Sequence, residues 1–237
     1  MRKIIFVSVC VLLFTNVFSQ TRRVNNLPYY DQKWLHFGFT IGFNKMDFSI
    51  KHDNGFLDND TLFAINNFKN TGFNLGPIVN LRLGEYFDLR ALIVLTFGQR
   101  DLTYTETSFG DTTRGNSIVR VMKIESTFLE FPVLLKYKAA RYNNFRPYLI
   151  AGICPKYDLA SQKEIKEEEM PKIRLSQMDF CYEIGVGLDF YLTYFKFTTE
   201  LKFSKGFTDV MVRDDTPYTS TIEKLLSQMF VLSFNFE

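Results

Sequence analysis

Between residues 34 and 237 the chain reads as runs in which apolar residues recur at every second position, joined by alternately short and long connections, and no other feature limits its fold so tightly. Successive side chains of a strand point to opposite faces, so this period builds a sheet with one apolar and one polar side. In the first run Leu35, Phe37, Phe39, Ile41 and Phe43 fall on one face, and His36, Gly38, Thr40, Gly42 and Asn44 on the other. Next, Phe73, Leu75, Val79, Leu81 and Leu83 oppose Asn74, Gly76, Asn80 and Arg82; Phe87, Leu89, Ala91, Ile93, Leu95 and Phe97 oppose Asp88, Arg90, Thr96 and Gly98. The period returns over Thr127 to Tyr137, less cleanly over Arg146 to Tyr157, then over Phe180 to Phe190, Phe195 to Phe203 and Phe230 to Phe236.

Joints between the runs are tight near 84–86, 139–145 and 191–194, and long near 49–69, 105–117, 159–178 and 207–224. Outer-membrane barrels alternate in this way, with short periplasmic turns and longer outer loops. After residue 18 nothing stays apolar for the roughly 20 residues that a membrane helix requires. Spanning therefore falls to strands, and strands in lipid must close into a ring, because the bilayer offers their backbone no hydrogen bonds. The reading is an all-β fold: an eight-stranded antiparallel transmembrane outer-membrane β-barrel over 34–237, with both termini in the periplasm. Four prolines, Pro77, Pro132, Pro147 and Pro155, lack a ladder donor and are expected at bulges or strand ends.

Charge decides which face meets lipid. The polar faces carry Arg82, Asp88, Arg90, Glu130, Lys136, Glu183, Asp189, Lys196, Glu200 and Lys202. One Arg or Lys on the lipid face near the midplane costs about 2–4 kcal/mol, so these ten should form a charge network in the lumen. A secreted lipocalin-type barrel has the same alternation with the faces exchanged, but an eight-stranded lumen is too narrow for this crowd of Phe and Leu. The polar face, with Gly38, Gly42, Gly76, Gly98, Gly185 and Gly187, fits such a lumen and fills it, unlike the aqueous channel of a porin. Tyr86, Phe87, Tyr137, Tyr148, Tyr191, Tyr194 and Phe195 cluster near the short turns, where an interfacial aromatic girdle is expected. The apolar last run, ending Phe236-Glu237, suits a signal for outer-membrane insertion.

Residues 1–19 have the form of a secretory signal peptide: Arg2 and Lys3, an apolar stretch from Ile4 to Phe14, and cleavage expected between Ser19 and Gln20. Residues 20–33 then form a periplasmic segment ahead of the barrel. Cys154 and Cys181 lie on runs expected to be neighbours, but sequence does not supply their spacing, and no structural disulfide is predicted. A net charge of +2 without a basic stripe argues against nucleic acid.

The chain has two histidines. His36 takes inward parity and reads as a lumen side chain, while His52, with Ser108 or Asp111, sketches a lipid-modifying site for which no motif spacing exists. Asp209, Asp214 and Asp215 lack the spacing of a calcium loop, and no cofactor, metal or small-molecule substrate is expected. The charged run Lys163 to Glu169 reads as a solvated loop.

The stretch from Asn26 to Phe48, Asn-Leu-Pro-Tyr-Tyr-Asp-Gln-Lys-Trp-Leu-His-Phe-Gly-Phe-Thr-Ile-Gly-Phe-Asn-Lys-Met-Asp-Phe, resembles the PorT (SprT) family. Phe128 to Tyr137, Tyr182 to Asp189 and Glu200 to Gly206 are also similar to strands of that family, so the likeness covers essentially the whole mature chain. The resemblance implies a non-enzymatic outer-membrane accessory of type IX protein secretion and gliding motility in Bacteroidetes, whose partners are outer-membrane lipid and other secretion-machinery proteins. It brings no catalytic residues. Arg22, Arg23, Tyr29, Tyr30 and Trp34 are the candidate partner contacts, with Trp34 anchoring the first strand at the interface. A structural or surface-adhesion barrel is the alternative, and the lipid-modifying enzyme a third.

Overall fold

The computed structural model describes residues 25–52, 62–107, 117–160, 174–212 and 222–237. A short 3-10 turn at Tyr30–Gln32 leads into twelve strands: β1 Leu35–His52, β2 Leu62–Arg82, β3 Phe87–Leu92, β4 Val94–Thr107, β5 Ser117–Glu130, β6 Val133–Lys138, β7 Phe145–Asp158, β8 Arg174–Leu175, β9 Met178–Tyr191, β10 Lys196–Gly206, β11 Met211–Val212 and β12 Ile222–Phe236. All but β8 and β11 belong to one ten-stranded antiparallel sheet. β3 and β4 are one stave interrupted at Ile93, and β5 and β6 are one stave interrupted at Phe131 and Pro132, so the sheet amounts to the eight staves expected.

Closure rests on β1, which pairs with β2 from Leu35↔Leu81 to Met46↔Asn70 and with β12 from Phe39↔Phe236 to His52↔Ile222. A sheet whose first stave meets its last has no edge along the barrel and leaves no ladder group facing lipid. Proline sets the interruptions. Ile93 N donates to Pro77 O, Leu92 N to Pro132 O and Phe131 N to Pro155 O, so three prolines that cannot donate serve as acceptors where the ladder shifts.

Inside and outside follow the period. Phe37, Phe43, Phe73, Leu149, Val186 and Leu201 face out, while Thr40, Asn44, Asn74, Arg90, Lys136, Glu183 and Glu200 are buried within the ring. β7, which alternates poorly as a sequence, alternates well in burial; its inward set mixes Tyr148, Ile150 and Cys154 with Lys156, so hydropathy alone blurred it. The lumen is also less uniformly polar than expected. Ile78, Leu92, Val94, Leu134, Tyr148 and Ile150 form one apolar cluster, and Met46, Phe128, Met229 and Val231 another.

The tight joints are Leu83–Tyr86, Ala139–Asn144 and Leu192–Phe195. On the opposite side the staves run further than the sequence predicts, β1 to His52 and β2 from Leu62, where a loop over 49–69 was expected. Beyond Met46 and Asn70, β1 stays with β12 and β2 with β4. These extensions lie past the level at which lipid enforces an apolar outer face, so the alternation that marks a strand fades at Lys45, Met46, Asp47 and Phe48 while pairing continues. Two of the long connections are tied together by β8 and β11, which pair through Met211↔Leu175 and Val212↔Arg174. Asp209 belongs to this tie, its carboxylate accepting from Met211 N and Leu225 N.

Two of the expected girdle residues face the wrong way. Tyr148 and Tyr191 are 3% and 1% exposed and point into the barrel, whereas Tyr86, Phe87, Tyr137, Tyr194 and Phe195 remain outside. Parity explains the difference, since Tyr148 alternates with outward Pro147 and Leu149, and Tyr191 shares the face of Asp189.

Candidate functional site

Inward charges on β3, β6, β9 and β10, with Glu237 just after β12, meet just inside the short-turn mouth. Arg90 donates to Glu200 at 2.6 Å, to Glu237 at 3.2 Å and to Asn80 at 2.9 Å. Lys136 reaches Asp189 at 2.7 Å, Thr198 donates to the same carboxylate at 2.7 Å, and Lys196 reaches Glu237 at 2.5 Å. The Tyr148 hydroxyl donates a hydrogen bond to Glu200 while its ring lies 3.7 Å from the Lys136 ammonium. Lys138 pairs with Asp88 at 2.6 Å. Buried ions of this kind hold together only when every partner is present.

A second layer lies deeper. Lys202 sits 3.4 Å from Glu183 and 4.0 Å from Glu200, which links the layers, and Lys156 sits 3.2 Å from Glu130. Toward the long-loop mouth, Arg100 donates to Ser126 at 2.6 Å, lies 3.6 Å from Asp158 and is flanked by the rings of Phe48 and Phe128. Asp88, Arg90, Glu130, Lys136, Glu183, Asp189, Lys196, Glu200 and Lys202 are thus all buried in the lumen. Arg82 is a correction: it stands at the last residue of β2, where the stave leaves the ring, and its guanidinium binds the carbonyls of Gly84 and Gln32 outside the network.

Glu130, Cys154 and Glu183 bring ligand atoms within 4.8 Å of one another. Lys156 and Lys202 already neutralise both carboxylates there, which leaves a cation little to bind. Cys154 and Cys181 are free thiols directly opposed across β7 and β9. In that register Asp158 N donates to Gln177 O and Tyr191 N to Asn144 O, so, counting by twos, the cysteines form a hydrogen-bonded pair. Cβ atoms of such a pair stand about 5.5 Å apart, wider than the roughly 3.5–4.5 Å of a disulfide.

The short-turn mouth is closed by the segment ahead of β1, and here a second expectation is corrected. Tyr30, expected to be free for a partner, is tucked into the barrel. Its ring stacks on His36 at 4.2 Å and meets Tyr191 edge-on, its hydroxyl donates to Glu237 at 3.3 Å, and Lys196 lies 4.9 Å from the ring centroid. Burial, and after it the charge of Glu237, push the Tyr30 phenol well above its ordinary value, so it remains a donor at any physiological pH. Burial alone would raise the Glu237 carboxyl too, but Lys196 and Arg90, then Lys136, outweigh it and hold the group well below the usual carboxylate range.

Asp31 follows Tyr30 into the mouth, where Tyr191 donates to both of its oxygens. Asn26 is fastened to Asn144 and to the carbonyl of Tyr191. Tyr29 and Trp34, 71% and 69% exposed, remain outside. His36 is committed to the carbonyl of Tyr30 at 2.8 Å. Arg22 and Arg23, the leader with Ser19 and Gln20, Ser108, Asp111, Asp214, Asp215 and the run Lys163 to Glu169 lie outside the described residues, as does the side chain of His52.

Sequence reasoning left Lys138, Arg146, Tyr148, Lys156 and Glu237 out of the network although parity places them inside, and it missed Arg141 and Asp31, for which no periodic signal exists.

A closed antiparallel ring with charges inside and Phe, Leu and Ile outside is an outer-membrane β-barrel. The chain belongs to the outer membrane protein beta-barrel domain family, whose model matches residues 18–212. Among solved structures it is similar to OprG from Pseudomonas aeruginosa (12% identity, 84% of this chain and 94% of that one, TM-score 0.44). It is also similar to Neisserial surface protein A (10%, 86% and 98%, 0.44) and to Ail, the attachment invasion locus protein of Yersinia pestis (13%, 84% and 96%, 0.36). Such distant likenesses carry no argument about activity. No curated protein matches the chain.

Proposed function

We propose that this barrel is a non-enzymatic outer-membrane accessory of type IX protein secretion and gliding motility, of the PorT kind, and that it works through its surfaces and not through its lumen. One observation carries the surface-acting half of this reading: paired buried charges and two apolar clusters occupy the interior from one mouth to the other. An interior so occupied among the described residues argues against a conduit for cargo, whose passage needs far more staves than eight. The secretion half is supported by the resemblance of Asn26 to Phe48 to the PorT family. On this reading the short-turn mouth faces the periplasm, as in other barrels of the outer membrane, and the exposed Tyr29 and Trp34 meet the machinery.

Deleting the gene in its host, with complementation by the intact chain, should leave cargo proteins unprocessed and cell-retained. Removing residues 21–30, or replacing Tyr29 and Trp34 together by Ala, should block secretion while the barrel still assembles in the outer membrane. Normal secretion by the null strain would move the assignment to a structural or surface barrel.

A further inference from the structure

Asp31 is a guest in a pocket built by other parts of the chain. Its carboxylate accepts from the Tyr191 hydroxyl at 2.8 and 3.0 Å, with Arg146 at 3.5 Å and Arg141 at 3.9 Å. Each host is fixed by contacts that do not involve Asp31. Arg141 lies 3.7 Å over the Tyr191 ring and donates to the carbonyls of Asn143 and Asn26 at 2.7 and 2.5 Å; Arg146 donates to the carbonyls of Ala139 and Glu85 at 2.6 and 3.0 Å. The tyrosine hydroxyl and the two guanidiniums are therefore already aimed at one point. Planar guanidiniums so arranged recognise carboxylates and phosphates, and the group held here is a carboxylate.

The guest is held loosely by comparison. Its ionic distances exceed the roughly 2.7–2.9 Å of a well-made charge-assisted bond, and its side chain is 29% exposed. Charge around the mouth is also out of balance. Lys138 is matched by Asp88 and Lys196 by Glu237, whereas Arg141 and Arg146 share the single carboxylate of Asp31 among the described residues, and Arg82 donates to carbonyls. Exposed Glu85 offsets part of this excess and leaves the mouth positive.

We propose that the short-turn mouth is a docking site for an acidic peptide, and that Asp31 is its resident occupant, displaced when a partner's carboxylate enters between Arg141, Arg146 and Tyr191. The occupant's chemistry is read from the one the site already holds. A cis carboxylate competes with every incoming one, so it lowers the apparent affinity by the fraction of time it is seated. This inference stands on the mouth geometry alone and does not require the secretion role.

The test is calorimetric titration of the full chain, folded in zwitterionic micelles, with an acetylated peptide of alternating Gly and Asp and with its Asn twin. Asp31→Ala should bind the Asp peptide on the order of tenfold more tightly than the unaltered chain. The Asn twin should bind neither. Tyr191→Phe in the Asp31→Ala background keeps the ring beneath Arg141 and should remove most of the gain; Arg141→Gln serves if that variant does not fold, as judged by circular dichroism and heat-modifiable gel migration. Equal binding of the Asp and Asn peptides, or no gain from Asp31→Ala, would overturn the proposal. Displacement by inorganic phosphate with no binding of the Asp peptide would overturn it too, in favour of a phosphate or lipid headgroup.

Discussion

Tyr148 lies across Gly187, its direct partner on the β7–β9 ladder, so closely that a Cβ at position 187 would meet the ring itself. The same tyrosine carries its hydroxyl to Glu200 on β10, which makes Gly187 the floor on which one link of the charge network rests. A ring packed on a strand glycine covers backbone that would otherwise be bare and fixes the register of the two staves. Gly187→Val should therefore prevent assembly or cost several kcal/mol, within the range seen for overpacked cores, about 1–3 kcal/mol or more. Tyr148→Phe should cost about 1–3 kcal/mol by leaving Glu200 short of a donor. Urea midpoints in micelles would measure both, and a Gly187→Val barrel as stable as the unaltered chain would refute the packing role.

Lys136 and Asp189 are wholly buried and meet at 2.7 Å. Lys136→Met strands a carboxylate that keeps only Thr198 and more distant cations, and should cost about 3–5 kcal/mol. The double variant Lys136→Met with Asp189→Leu should recover most of that loss, because the desolvation cost goes with the pair. Additive losses in a double-mutant cycle would show instead that each ion is held by the rest of the network.

Glu237 gives the barrel a pH dependence of known sign. Its folded carboxyl is held below the ordinary value, so its contribution is present in full above the unfolded carboxylate range, near pH 4.3, and is lost as pH falls from there toward the folded value. The stability gap between the unaltered chain and Glu237→Gln should be constant from pH 7 to about 5 and shrink below about 4. A gap that widens on acidification would contradict the contacts with Lys196 and Arg90.

Val186 and Leu201 oppose one another on the outer wall, each about half exposed to what is lipid in the membrane. Val186→Arg should cost about 2–4 kcal/mol when unfolding is measured from bilayers. In small zwitterionic micelles, which admit water to the wall, the loss should be less. Equal losses in both would argue that the wall is covered by protein.

The barrel was legible in the sequence because one cause, lipid outside and a crowded lumen inside, acts on every second residue of every stave. Where that cause stops, legibility stops with it. Past Met46 the staves continue without an apolar outer face, and the chain reads as loop. Tyr148 and Tyr191 were misplaced because composition near the short turns spoke for a girdle while parity spoke for the lumen, and parity prevailed. Arg82 has inward parity, yet it sits where the stave ends and parity no longer encloses it. The pocket of Asp31, Arg141, Arg146 and Tyr191 has no sequence signature, since it joins one segment to turns more than a hundred positions away.

Tyr30 and Glu237 are 207 positions apart and flank the seam where β1 meets β12. Their contact cannot exist until that seam has zipped, because only then does the last stave bring Glu237 beneath the first. The seated Tyr30 is therefore a record of completed assembly: a barrel whose seam is still open cannot bring Glu237 to the Tyr30 hydroxyl, and a closed one does. Any factor that inspects newly inserted barrels from this side would find the difference written in a single short segment.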